Sequence, residues 1–161
     1  MPIRKLSILL IAICTMIFFA ACVNSGNGDN SQDGNQITVY EDKEYSAYQE
    51  VASYIHEFKH LPSNYLTKAE ANARGCNGGN PQVTLGGNVY IGGDRYMNFE
   101  GLLPEDAEYY ECDVDYSDEY RGAKRLVFTE EGTVYYTENH YGQNLEPEEM
   151  TFDNVFVKLY D

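Results

Sequence analysis

The side chains best suited to chemistry lie between residues 111 and 140 of the chain. In the stretch E-C-D-V-D-Y, the acids Glu111, Asp113 and Asp115 alternate with apolar residues. A strand has a period of two, so it would place these acids on one face and the apolar groups on the other. We therefore predict a strand that presents a carboxylate as a candidate general base.

Two cations and a histidine follow on the next predicted strands. Arg121 comes after a turn, Arg125 opens the strand R-L-V-F, and the strand T-V-Y-Y-T leads to His140. Consecutive antiparallel strands would bring these groups beside Glu111. A base, an anion clamp and an acid on one sheet face suggest cleavage of an RNA phosphodiester.

The first half of the domain contains two helix signals. Ser46 with Gln49 predicts a capping box and a helix from Ala47 to Lys59. Its apolar positions have helical spacing, which indicates a face buried in the core, and the following Leu-Pro pair ends it.

Thr67 with Glu70 predicts a second capped helix that closes at Gly75. This places Lys68 in the first turn, where backbone amides favour an anion. Residues 77–88 are rich in glycine and asparagine, which indicates a loop.

The second half of the chain has the pattern of hairpin-connected strands, and the 15 tyrosines of the whole chain suit half-buried strands. Helices followed by a run of strands predict an α+β domain with an antiparallel sheet. After removal of its ends, the 161-residue chain is long enough for one such domain, at residues 37–161.

The N-terminus resembles a bacterial lipoprotein signal. A basic start and a short apolar run end in F-A-A-C at Cys22, so residues 1–22 would be a signal peptide with Cys22 as the lipidated residue. Residues 23–36 contain almost no apolar side chain and predict a flexible linker. We therefore expect an extracellular lipoprotein on the cell surface, attached to the membrane by its lipid anchor.

The charge of the chain is unfavourable for binding a polyanion. All 26 acidic residues but only nine of the 11 lysines and arginines follow Cys22, so the mature chain carries a net charge of about −17. Long-range steering would oppose RNA binding. An RNA site must therefore depend on a local cationic cleft.

Two sequence features leave alternatives open. Cys76 and Cys112 form an even pair in a compartment that permits a disulfide, but two buried free thiols would give the same sequence. His56 and His60 fit the zinc motif H-E-x-x-H, although short motifs match by chance and no third ligand follows at the usual spacing. We interpret this motif as two solvated polar residues on a helix, with a zinc peptidase as a minor alternative.

Several motifs in a fixed order give the chain a family resemblance. L-P-S-N-Y-L-T-K, I-G-G-D, E-G-L-L-P and H-Y follow one another between about Ala47 and Tyr141. The chain is similar to the barnase-type microbial guanyl-preferring ribonucleases (the N1/T1 family). That resemblance implies helices packed on a five-stranded antiparallel sheet and a reaction that needs neither metal nor other cofactor.

The resemblance assigns roles to the residues of the predicted site. Glu111 would be the general base that takes the proton of the ribose 2′-hydroxyl, and His140 the general acid that protonates the leaving 5′-oxygen. The product would be a 2′,3′-cyclic phosphate, which is then hydrolysed. The cations around the phosphate and the carboxylates that support them would be Lys68, Arg121, Arg125, Asp94 and Asp113.

Base recognition follows the family less closely. Glu100 matches the carboxylate that accepts hydrogen bonds from guanine, Asn98 is retained, and Tyr96 and His140 would stack on the base. Phe99, however, stands where the family has an arginine. Two further positions depart from the family: Tyr109 and Tyr110 replace a tryptophan and an arginine, and Cys76 replaces an aromatic residue. Tyr141, next to the acid, is the remaining candidate for substrate contact.

The largest departure from the family is an insertion at residues 142–154, directly after the proposed acid. It would be either a decoration or a gate on substrate entry. The resemblance also implies a monomer and a barstar-like inhibitor protein as a partner besides RNA. The main alternative function is a catalytically weak or silent binding module on the same fold.

Overall fold

The computed structural model describes residues 37–117 and 119–161. The predicted signal peptide, the linker and Cys22 lie outside these residues. Within them, no helix has the length and apolar character needed to cross a membrane.

Helix α1, Tyr48–Phe58, is the longest helix of the described residues and buries Val51, Tyr54 and Ile55, as its apolar spacing predicts. The predicted capping box at Ser46 is wrong. The N-cap is Ala47, and its side chain caps nothing. A carboxylate distant in sequence takes that role instead, because Asp115 Oδ1 accepts a hydrogen bond of 3.0 Å from the backbone amide of Tyr48.

Two shorter helices follow. Helix α2, Lys68–Ala73, has the predicted capping box, in which Thr67 and Glu70 satisfy each other's backbone amides. Helix α3, Pro81–Leu85, lies within the predicted loop and corrects that prediction. Its signal is Asn80 followed by Pro81, an N-cap with proline in the first turn.

A sheet of six strands confirms the α+β prediction with one strand more than expected. The extra strand, β1, is a two-residue segment parallel to β2, and the remaining strands are antiparallel neighbours in chain order. The strands are β1 Tyr65–Leu66, β2 Tyr90–Tyr96, β3 Tyr109–Asp113, β4 Arg125–Phe128, β5 Val134–Thr137 and β6 Val157–Tyr160.

The two glycines of I-G-G-D form an irregularity in β2. A Cβ atom on Gly92 would lie 2.5 Å from the Cβ atom of Cys112, so only glycine fits the close approach of β3. Gly93 has a φ of 91°, and the register with β3 shifts between Gly92 and Asp94. This bulge sets Asp94 opposite Glu111.

Each face of the sheet has its own apolar cluster. On one face, α1 packs on a cluster that includes Cys112, Leu126 and Tyr136. The opposite face carries Glu111 and Asp113, and part of it is covered by a cluster that includes Val127 and Tyr135. The site residues thus share a face with a second apolar core.

The 142–154 insertion is folded onto this second core. It contains a 3₁₀ helix, Pro147–Glu149, and helix α4, Phe152–Val155. Val155 and the adjacent Phe156 are buried there, 4% and 2% exposed, with Met150 packed beside them. The insertion itself therefore packs on the domain through Leu145, Met150 and Phe152, and its role as a decoration or a gate stays a prediction.

The two cysteines of the domain are both free and buried. Cys76 lies in a small cluster with Leu66, Ala71 and Ile91, whereas Cys112 belongs to the core beneath α1. The disulfide alternative is therefore wrong, because each thiol is packed in a different part of the core.

Candidate active site

Glu111 lies in the middle of β3 with its side chain 17% exposed. Both of its carboxylate oxygens have partners. Lys68 Nζ lies 2.6 Å from Oε1, and the hydroxyl of Tyr141 donates a hydrogen bond to Oε2. The predicted base is thus held between a cation and a phenol.

These contacts set the ionisation of Glu111. Burial alone would raise its pKa, but the hydrogen bonds from Lys68 and Tyr141, with the charges of Lys68 and Arg125, outweigh burial and lower the pKa. Burial and the neighbouring carboxylate raise the pKa of Tyr141, so its hydroxyl remains a donor. Glu111 is therefore an ionised carboxylate at neutral pH, as a general base must be.

The first turn of α2 brings Lys68 to the base. The backbone amide of Lys68 donates a 2.8 Å hydrogen bond to Asp94 Oδ2. Asp94 is therefore positioned to support Lys68, as the resemblance implied. The same bond agrees with the expectation that amides in this first turn favour an anion, and the anion is the carboxylate of Asp94.

Asp113 holds both arginines of the site. Arg121 binds it with two nitrogens at 2.6 and 3.0 Å, and Arg125 Nε lies 2.7 Å from Oδ1. Asp113 is 2% exposed, so its charge is satisfied by these cations and by Tyr116, whose hydroxyl lies 2.5 Å from Oδ2. These pairs fix the two guanidinium groups on Asp113, which lies two residues from Glu111 on the same strand.

The arginines differ in how far they reach solvent. The Arg125 side chain is 6% exposed and also donates to the carbonyls of Gly122 and Lys124. Arg121 is 25% exposed. Arg121 is therefore the more accessible of the two guanidinium groups, whereas Arg125 is buried.

Asp115 does not join this face, so that part of the predicted alternation is wrong. Strand β3 ends at Asp113, and Asp115 has a φ of 50°. Its carboxylate turns toward α1 and Lys124, whose Nζ lies 3.1 Å away. The left-handed backbone interrupts the strand period on which the prediction depended.

The predicted acid, His140, lies in a tight turn after β5. It has a φ of 50°, and its backbone amide donates to the carbonyl of Ala123, which ties the turn to the arginine-bearing segment. Its ring is half-buried and lies 5.1 Å from the Tyr141 ring. Among the described residues the imidazole has no hydrogen-bond partner, so both ring nitrogens are available to a substrate.

Asn139 organises this turn and was missed by the sequence reasoning. Its Oδ1 accepts from the amide of Gly142 at 2.8 Å and from the hydroxyl of Thr137 at 2.9 Å. Its Nδ2 donates to the carbonyl of Asn154 at the end of the insertion. Tyr116, which binds Asp113, was also missed. Only the tertiary contacts reveal either role.

The predicted base-recognition residues lie together at the end of β2 and in the loop after it. Tyr96 is buried, and its hydroxyl donates to Glu100 Oε2 at 3.1 Å. Asn98 is engaged within the loop, since its side chain bonds the amide and the carbonyl of Leu103. Phe99 is 86% exposed. Glu100 and Phe99 therefore face solvent, whereas Asn98 shapes the loop.

The structure corrects the zinc-peptidase alternative. Helix α1 ends at Phe58, and Lys59 has a left-handed backbone, so His60 lies beyond the helix. His56 Nδ1 bonds the carbonyl of Gly132, whereas His60 pairs with Glu41. The two rings therefore lack the one-turn spacing that the motif requires. No cluster of three metal-binding side chains occurs among residues 37–117 and 119–161.

The fold and the site together define a class of protein. A small α+β domain carries an ionised carboxylate held by a lysine and a tyrosine, two arginines fixed by a buried aspartate, and a histidine next to that tyrosine. These groups can remove one proton, supply another and stabilise a dianionic phosphorus centre between them.

Comparison with known proteins identifies the family. Residues 20–145 match the family described as ribonuclease. A ribonuclease of Heyndrickxia coagulans is 39% identical over 95 residues, which cover 56% of this chain and 86% of that relative. Ribonucleases of Bacillus intermedius and Bacillus pumilus show the same identity, with 58% of their length covered. The chain belongs to the ribonuclease family.

Proposed function

We propose that this ribonuclease is a metal-independent endonuclease of single-stranded RNA that cleaves after guanosine. The observation that carries the proposal is the pairing of Glu111 with Lys68 and Tyr141 on the sheet face that also holds the arginine pair. Lys68, Arg121 and Arg125 supply the positive charge that a metal provides in other phosphoryl-transfer sites.

In the first step, Glu111 takes the proton of the ribose 2′-hydroxyl. The 2′-oxygen attacks phosphorus while His140 protonates the leaving 5′-oxygen, which gives a 2′,3′-cyclic phosphate. Water then opens the ring with the two roles reversed and leaves a 3′-phosphate. DNA lacks the attacking hydroxyl and is not a substrate for this reaction.

Guanosine preference rests on the loop after β2. Glu100 is exposed and keeps one carboxylate oxygen free of the bond from Tyr96, so it can accept from the N–H groups on the guanine edge. The exposed ring of Phe99 is available for stacking where the family has a charged side chain. Stacking is tolerant of sequence, so we expect Glu100 to carry most of the discrimination.

The decisive experiment is cleavage of a GpN dinucleotide across pH, with the cyclic phosphate product identified directly. We expect a bell-shaped profile with the acid limb set by Glu111 and the alkaline limb by His140. Glu111→Ala or His140→Ala should remove its own limb and cost roughly 10²-fold or more. Chelator should change nothing.

The alternative is a catalytically weak or silent binding module on the same fold, and the same experiment distinguishes it. Such a module would bind GpN without yielding a cyclic phosphate at any pH. Retention of Lys68, Glu111, Arg121, Arg125 and His140 favours the enzyme.

We also propose that the protein acts outside the cytoplasm as a lipoprotein, on the basis of the F-A-A-C sequence at Cys22. Membrane fractionation of wild type and Cys22→Ala tests this, since only wild type should sediment with membranes. A monomeric state and a barstar-like inhibitor stay predictions.

A further inference from the structure

A cavity of about 420 Å³ lies between α1, the end of β5 and the connection from α4 into β6. The 142–154 insertion supplies part of its wall through Asp153 and Asn154. None of the proposed catalytic residues lines it. Its volume falls within the range of roughly 300–1,000 Å³ that is usual for small-molecule sites. The cavity is therefore a candidate ligand site separate from the candidate active site.

Most of the lining is apolar or aromatic. The rings of Tyr48 and Tyr136 stack with their centroids 4.2 Å apart and an interplanar angle of 19°, so each ring fixes the other. Val157 is 57% exposed, which leaves apolar surface uncovered at this edge of the sheet. The full apolar set is Tyr48, Tyr136, Val155, Phe156, Val157 and Leu159. Such walls would hold the apolar body of a ligand.

Two exposed carboxylates, those of Glu138 and Asp153, also line the cavity. Glu138 Oε1 accepts a hydrogen bond of 3.3 Å from the hydroxyl of Tyr136, which leaves its other oxygen open to a ligand. Neither carboxylate forms an ion pair with any residue of the ranges 37–117 and 119–161. The polar part of the cavity therefore carries negative charge that the described part of the chain does not neutralise.

The nearest cation along the chain is already engaged. Lys158 lies between two lining residues of β6, but it pairs with Asp161 and its Nζ lies 5.9 Å from the centroid of the Tyr135 ring. No lysine or arginine is among the described residues that line the cavity. In a chain with a net charge of −15, the local potential thus opposes an anionic ligand and favours a cation.

We propose that this cavity binds a small organic cation that carries an ammonium group on an apolar body. The ammonium group, with three N–H donors, would lie near Glu138 and Asp153, and the apolar body would lie against the Tyr48 and Tyr136 pair. A bare metal ion does not fit, because a site with mainly apolar walls and two carboxylates offers it too few oxygen ligands. The inference goes beyond the proposed function and does not depend on it.

The test uses benzylammonium as the cationic probe, with benzyl alcohol and benzoate as its neutral and anionic counterparts. In a chemical-shift titration of ¹⁵N-labelled protein, benzylammonium should saturably shift the amide signals of residues 136–139 and 153–157. Benzyl alcohol should bind roughly 4- to 25-fold more weakly, because two screened ion pairs are lost. Benzoate should not bind. Methylammonium should bind roughly 10-fold or more weakly, because it lacks the apolar body.

Variants of the protein separate the two carboxylates from the general charge of the chain. Glu138→Gln and Asp153→Asn should each weaken benzylammonium binding roughly 2- to 5-fold, the range for one screened ion pair. Glu148→Gln is the matched control, because Glu148 is exposed in the same insertion, lies outside the cavity and loses the same charge. Its Kd for benzylammonium should equal that of wild type.

Three results would overturn the inference. Equal Kd values for benzylammonium and benzyl alcohol would show an apolar cavity without selectivity for a cation. Equal weakening in Glu148→Gln would show attraction by the whole chain and not by this cavity. A rise in KM for GpN with benzylammonium, together with shifts at the proposed catalytic residues, would place the cation at the active site. Absence of GpN cleavage would overturn the proposed function alone, since the titration measures binding without activity.

Discussion

The hydroxyl of Tyr141 donates a hydrogen bond to Oε2 of Glu111, which joins the turn that carries the proposed acid to the strand that carries the proposed base. His140 directly precedes Tyr141, and their rings lie 5.1 Å apart. The position of the base and that of the acid are therefore coupled through one side chain. Tyr141 acts on Glu111 as a positioning residue, in addition to any contact with substrate.

Tyr141→Phe should move the acid limb of the pH profile to higher pH. The hydrogen bond from Tyr141 lowers the pKa of Glu111, so its loss raises that pKa and leaves less of the ionised base at low pH. At pH values above the acid limb the rate should fall only modestly, because Lys68 still holds the carboxylate of Glu111. The profile of kcat/KM for GpN measures both effects.

Tyr120→Phe is the matched control, since Tyr120 is 73% exposed and should leave the profile unchanged. An acid limb that stays at the same pH in Tyr141→Phe would contradict the assignment of Glu111 as the base on that limb.

Asp113→Ala should lower the free energy of unfolding by about 3–5 kcal/mol, because it leaves the buried Arg125 without its counter-charge. Urea denaturation measures the change. Asp42→Ala provides the comparison. Asp42 pairs with Lys43 at the surface, with 77% and 61% exposed side chains, and its loss should cost about 0–1 kcal/mol. Equal costs in the two variants would contradict the structural role of Asp113.

Asn139→Ala should reduce kcat for GpN by roughly 10-fold or more with little change in KM, since a displaced acid weakens the transition state more than binding. The substitution leaves the amide of Gly142 without its acceptor and releases the turn from the insertion. Asn139→Asp keeps the acceptor for Gly142 and should lose less activity. A rise in KM alone would show that Asn139 acts on binding and not on His140.

Cleavage of long RNA should fall less steeply with added salt than it does for a basic ribonuclease. The chain has a net charge of −15, so salt screens repulsion as well as the attraction by the local cations. Cleavage of GpN should change little. A fall as steep as that of a basic enzyme would show that the local cleft alone governs encounter with RNA.

Local patterns in the sequence were sufficient where the controlling interactions are local. The Thr67 and Glu70 capping box lies within one turn of α2, and the apolar spacing of α1 identified its buried face. The α+β class and the strands that carry Glu111 and Arg125 also followed from period and order. These features depend on neighbours a few residues apart, which a sequence displays directly.

Only the tertiary structure decided the features that depend on distant partners. Asp115 caps α1 from 67 residues away and so replaces the local capping box at Ser46. Cys76 and Cys112 are free thiols because they pack in two different apolar clusters. Tyr141 meets Glu111 across 30 residues, and only the packing of the chain brings such groups together. The residues of the site could be identified from the sequence, whereas the contacts between them depend on the tertiary structure.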